Sequence, residues 1–201
     1  MKQKKKLIVF WIISIILSII ILAFLQRLFM PKYMHDVVEG AMIAEYYDTP
    51  KNHDVVFIGD CELYENIDSV TLWQDYGINS YLRGSAQQLI WQSYYLAEET
   101  IKYEKPKVIV FNILSMKYDE PQKEAYNRMT LDGMKWSKSK VNSIKASMTE
   151  EEHFLEYLFP LLRFHSRYSE LNSDDINYLF TADPVWHSSD AGLSRGNFYP
   201  L

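Results

Sequence analysis

Residues 54–62 read DVVFIGDCE, and the fold follows from their order. Val55, Val56, Phe57 and Ile58 run without a polar interruption and stop at Gly59-Asp60-Cys61. β-Branched and aromatic residues that never alternate with polar ones suit a strand covered on both faces, the habit of parallel sheets flanked by helices. Gly59 breaks the strand. An acid and the chain's single cysteine follow at its carboxyl end, where open α/β sheets carry their sites.

Downstream, Asp68-Ser69 caps a short helix that carries Leu72 and Trp73 and stops at Gly77. Ser80-Tyr81-Leu82 reads as a second strand. Residues 86–103 read as a helix, because Ala86, Ile90, Tyr94, Ala97 and Ile101 recur at intervals of three and four and Pro106 prevents continuation. Residues 107–114 read as a third strand. Strand, helix, strand, helix, strand begins a doubly wound sheet. Upstream, residues 33–47 form an amphipathic segment with Val37, Val38, Met42 and Ile43 near helical spacing. From 119 to 180 the chain reads as a helical insertion. Within it, polar residues 121–147 are expected to form short helices over the site. Thr149 and Glu152 make a capping box for a helix through Phe154, Leu155, Leu158 and Leu162, kinked at Pro160, and a further small helix begins near Ser173. Residues 181–201 show no periodicity.

A strand ending in Gly-Asp-nucleophile resembles the first block of the SGNH, or GDSL-type, hydrolases and acyltransferases, with Cys61 where that family has serine. Gly84, in Arg83-Gly84-Ser85, and Asn112, ending the run Val108-Ile109-Val110-Phe111, stand where the family's glycine and asparagine would be. Residues 54–118 look most like membrane-anchored members that acylate cell-envelope polymers. The resemblance implies a partial flavodoxin-like (SGNH) three-layer parallel sheet with Cys61 as nucleophile. It also implies an oxyanion hole from the Gly84 and Cys61 N–H groups and the Asn112 amide. An envelope glycan or other acyl substrate, a membrane acyltransferase partner and no cofactor belong to the same expectation. The asparagine block lacks the family's Gly-x-Asn-Asp form, and no terminal Asp-x-x-His is present. Such a sheet needs about five strands and three are readable. The expectation is therefore a chain that stops before the Asp-x-x-His block; the alternative is a small complete ectodomain using only the first half of the fold.

From Leu7 to Leu25 there are nineteen residues without a charge, about 28 Å as a helix and thus close to a bilayer core. With no small-x-small cleavage site after it, the segment reads as an uncleaved anchor, with a cleaved signal peptide as the alternative. Four lysines precede it, against Arg27 and Lys32 behind, which puts the N-terminus in the cytoplasm and the rest outside. Residues 1–32 are then a basic tail and membrane anchor, and 33–201 an extracytoplasmic α/β domain. The anchor region holds six of 21 basic residues and none of 26 acids, so the remaining 15 basic residues are well outnumbered. That leaves no basic footprint for nucleic acid. The cysteine and histidine spacings hold no metal motif, and one cysteine forms no internal disulfide.

Each candidate residue has a structural alternative. Cys61 at a strand-to-helix turn meets first-turn N–H groups that would lower its pKa, or else it is a small buried hydrophobe. Gly84 is an oxyanion donor or an ordinary turn glycine. Asn112 is a site residue or part of a structural network, with Ser115 in reserve for its role. Asp60 is expected to organise the loop. His187 lies four residues after Asp183, a poor match to the family's base. Arg163 and Arg167 share a helical face that either holds an anion or is simply solvated. His35, His53 and His153 have no evident partner, and Trp91, Tyr94 and Tyr95 read as core. A second function stands beside the enzyme: a membrane-anchored binding or assembly module that keeps the fold without the chemistry.

Overall fold

The computed structural model describes residues 2–31, 42–121, 123–177 and 179–180. They fall into two compact units, one of the N-terminal helix with the described residues from Leu158 onward, the other running from Met42 to Tyr157. His35, Asp183 and His187 lie outside the described residues, as does most of the segment 33–47.

In the first unit α1 (Lys2–Phe29) is a single helix. It is long and apolar enough to cross a membrane. Beyond α8 (Phe154–Leu158), Pro160 opens α9 (Pro160–Phe164), a 3-10 turn spans His165–Ser169, and α10 (Ser173–Asn177) follows. The expected kink at Pro160 is a full break, because proline is well placed only in a helix's first turn.

In the second unit α2 (Met42–Glu45) and a 3-10 turn (Tyr46–Asp48) precede β1 (Val55–Gly59), α3 (Cys61–Asn66), α4 (Ser69–Tyr76) and β2 (Ser80–Gly84). Then come α5 (Ile90–Tyr103), β3 (Val108–Phe111), a 3-10 turn (Ile113–Lys117), α6 (Glu124–Leu131) and α7 (Lys138–Ser147). The three strands form one parallel sheet in the order β2-β1-β3, with Val55 opposite Ser80 and Val108. β1 and β2 are covered on both faces, as the unbroken apolar run of β1 requires. Val56, Ile58 and Tyr81 pack with Leu96 of α5 and Ile144 of α7, while Phe57 and Leu82 pack with Leu63 and Tyr64 of α3. Asp68 caps α4 through Val70 N–H, and Gly77 closes it at φ +66°, a conformation that favours glycine.

Several local expectations are corrected. The third strand is only Val108–Phe111, since the Asn112 side chain accepts from Leu114 N–H and turns the chain into a 3-10 segment. Helix α5 starts at Ile90, not 86: Gln87 sits at φ +52° and Gln92 caps the helix by accepting from Leu89 N–H at 3.0 Å. Its buried face is Gln92, Ser93, Leu96, Ala97, Glu99 and Thr100, whereas Tyr94 and Ile101 are exposed. The reason is Arg83. Its guanidinium is fully buried beneath α5, pairs with Glu99 at 2.6 Å, donates to Leu96 O and Thr100 Oγ1 at 2.9 Å, and lies 4.1 Å from the Tyr46 ring centroid. A buried cation needs a polar face opposite it. At the foot of the sheet His53 pairs with Glu104 at 3.0 Å, a partner absent from the sequence reading. Glu152 reaches back to Thr149 N–H, but the helix opens later, at Phe154, so only half of the capping box forms. Trp91 is only half-buried and Tyr94 is exposed, so that cluster is not core.

On the β3 side the sheet is open among the described residues, with Val108, Val110 and Phe111 exposed.

Candidate functional site

The carboxyl ends of the three strands meet where β1 hands over to α3. Cys61 is the first residue of α3, half-buried and unoxidised. Asp60, one residue earlier, is the N-cap: it is fully buried and its Oδ1 accepts from Glu62 N–H at 3.2 Å. From the end of β3, Asn112 donates its amide to the same Oδ1 at 2.7 Å, and its backbone N–H donates to Ile58 O at 3.0 Å. From the end of β2, Gly84 faces Gly59 across the ladder. A methyl group on Gly84 would stand 2.7 Å from Gly59 O, and one on Gly59 would stand 2.5 Å from Asn112 Cβ. Both glycines are therefore demanded by the close approach of the strand tips, in addition to any part they take in chemistry.

Burial, then the carboxylates of Asp60 and Glu65, push the Cys61 thiol up from its ordinary value, while the Gln87 and Glu62 backbone N–H groups pull the other way. The expected lowering by the helix N-terminus is overturned: α3 has only six residues, and its field is outweighed by desolvation and two nearby acids. Burial also leads in raising Asp60, whose Oδ2 has no hydrogen-bond partner. Tyr118 is raised by burial, with Asp60 and Cys61 next, so its phenol stands in the field of the same pair.

The structure thus brings Cys61, Gly84 and Asn112 to one end of the sheet. Ser115 does not replace Asn112. It is fully buried within the 3-10 turn, its Oγ without a partner. Ser85, beside Gly84, bonds Thr130 of α6, so at least that insertion helix reaches the β2 loop. His53 is engaged by Glu104 at the opposite end of the strands, and His165 is exposed with Nδ1 on Leu162 O at 2.9 Å. Arg167 is committed to Phe29 O and Asp175, at 2.7 and 3.2 Å, and is neither a free anion site nor a merely solvated side chain. Gln87 and Tyr118 were missed by sequence reasoning. A polar residue at positive φ and a lone tyrosine beyond a turn carry no pattern that would have singled them out. Among the described residues no group of three or more His, Cys, Asp or Glu could hold a metal ion.

The fold and this strand-tip site define an α/β unit on a parallel sheet, in a chain that also carries a long apolar N-terminal helix. Compared with family models, with curated proteins and with solved structures, the chain matches none.

Proposed function

We propose that the chain is a membrane-anchored, SGNH-like acyl-handling protein with its α/β unit outside the cytoplasm. Its acyl ester would be carried by a cell-envelope glycan or similar polymer, either for hydrolysis or for O-acyl transfer with a membrane acyltransferase as partner. The observation that carries the reading is the convergence at the sheet's carboxyl end: a half-exposed thiol on the first residue of α3, the Asp60–Asn112 bond beside it, and N–H groups of Gln87 and Glu62 facing the sulfur. In this scheme Cys61 sulfur attacks the acyl carbonyl, the thiol proton leaves to a base, and the alkoxide departs to give a thioester. Since the thiol is raised, attack near neutrality depends on that base, and His53, in the same unit, is held by Glu104 at the opposite end of the strands. The chain by itself is therefore expected to acylate slowly and not to turn over. The orientation of the anchor follows from the lysines before it.

A second reading, a binding or assembly module without chemistry, is favoured by the Asn112 amide, which is held by Asp60 and Leu114 N–H instead of standing free for an oxyanion. Treatment of the full chain in detergent with p-nitrophenyl acetate, followed by intact and peptide mass spectrometry, separates the two. One acetyl group on Cys61, formed faster than in the urea-unfolded chain at equal thiolate fraction and absent from Cys61→Ala, supports the acyl-handling site. Acylation no faster than in the unfolded chain leaves the binding module.

A further inference from the structure

Helix α1 is exposed from Gln3 through Phe24 except at Ser14, and most of its residues from Leu25 onward are partly covered. What covers it comes from the other end of the chain. Leu161 N–H donates to Gln26 Oε1 at 2.6 Å, and Arg167 caps the Phe29 carbonyl at 2.7 Å. Arg27 donates to Leu179 O and Phe180 O at 3.3 and 3.4 Å, with its guanidinium 5.5 Å from the Phe180 ring centroid. These short elements satisfy much of their polarity among themselves. Asp175 accepts from Arg167 at 3.2 Å and from Asn172 N–H at 3.0 Å, and Asn172 accepts from Asp174 N–H at 2.7 Å. Among outward polar groups such as Arg163 and Glu170 stand four large apolar or aromatic side chains that nothing covers: Leu162 is 54% exposed, Tyr168 75%, Ile176 68% and Phe180 70%.

Depth decides what such a surface meets. The uncharged run from Leu7 to Leu25 has about the length of a hydrocarbon core. Gln26, Arg27 and Phe29 then stand at headgroup level, and elements hydrogen-bonded to them are held at the same level. Apolar and aromatic side chains mixed with arginine are the composition of segments that lie in that zone. We infer that α9, the turn His165–Ser169 and α10 form a collar lying in the membrane interface around the carboxyl end of α1, with Leu162, Tyr168, Ile176 and Phe180 set into the boundary between headgroups and acyl chains. Lipid is favoured over a second copy of the chain because the elements that carry the patch are hydrogen-bonded to Gln26 and Phe29, directly after the bare apolar run of α1. The inference rests on α1 spanning the bilayer, and on nothing proposed for Cys61.

The test uses the full chain in lipid nanodiscs, in a Cys61→Ala background, with the environment-sensitive fluorophore NBD attached to Leu162→Cys, Ile176→Cys or Phe180→Cys. Ile16→Cys marks the middle of α1, and Ile101→Cys, exposed on α5, marks water. The collar labels should emit to the blue of the Ile101→Cys label. Nitroxide near the lipid headgroup should quench them several-fold more than nitroxide deep in the acyl chain, and Ile16→Cys should show the reverse order. Collar labels that emit like Ile101→Cys overturn the inference. So does a blue shift that neither lipid quenches, which means protein covers the patch. An unquenched Ile16→Cys label instead removes the spanning reading on which the collar depends.

Discussion

The Asn112 amide donates to the buried Asp60 carboxylate across 2.7 Å, joining the residue after β3 to the residue after β1. The bond gives one oxygen of that buried acid a partner, and it fixes the amide beside Cys61. Removing it leaves a buried acceptor short of a partner, so Asn112→Ala is expected to destabilise the α/β unit by about 1–3 kcal/mol. Urea unfolding followed by tryptophan fluorescence checks this. An unchanged midpoint would mean that water replaces the amide freely.

Cys61 is expected to alkylate as a raised thiol. In the folded chain the rate of reaction with iodoacetamide should climb at higher pH than in the urea-unfolded chain. Because Glu65 is exposed and among the causes of the shift, Glu65→Gln should move the profile back toward lower pH without loss of fold. A folded-state profile lying below the unfolded one would show that the N–H groups of Gln87 and Glu62 outweigh the acids.

Crowding at the strand tips predicts that Gly84→Ala, whose methyl group would meet the Gly59 carbonyl at 2.7 Å, costs about 1–3 kcal/mol. At Gly77 the space is open but φ is +66°, so alanine there costs about 1–2 kcal/mol through backbone conformation alone. Thermal melts of the two variants separate the causes: replacing Gly77 by asparagine, which tolerates this conformation, should recover stability, and the same change at Gly84 should not.

Lys140 is buried on α7, donates to Met134 O at 2.8 Å, and is pushed down to about 8 by desolvation. Its folded value lies below its unfolded one, so between about 8 and the ordinary 10.5 the unfolded chain binds the extra proton. Stability should therefore rise with pH in that window relative to Lys140→Met, which has no such proton. Denaturation midpoints of both chains at pH 7, 9 and 10 give the difference curve. A flat curve would place the ammonium in contact with water, and a falling one would mean that Asp132 and Glu99 outweigh burial.

What the sequence made legible is the part written in unbroken apolar runs and in punctuation: β1, its stop at Gly59, the cap at Asp68, the turn at Gly77 and the apolar α1. Periodicity misled at α5, because Tyr94 and Ile101 keep helical spacing on the exposed side while the buried side is written in Gln92, Glu99 and Thr100. Those polar residues make sense only once Arg83 is known to lie beneath them. The same holds for His53, whose partner Glu104 is fifty-one residues away. Cys61, Gly84 and Asn112 were legible as residues that follow or end short apolar runs, and these runs are the three strands whose ends meet. The raised thiol was not, since it depends on burial and on Glu65 falling about one helical turn beyond Cys61.

Arg83 carries one more consequence. Every residue of β2 is buried, and β1 beside it has no polar alternation, so hydrophobic pattern alone scarcely distinguishes one pairing from its neighbour. Sliding β2 by one position would swing the guanidinium away from Glu99 and into the layer of Leu63 and Tyr64, an unpaired buried charge costing about 3–5 kcal/mol. The cation beneath α5 acts as an indexing pin: it adds little to the strength of the sheet and makes the misaligned sheets untenable.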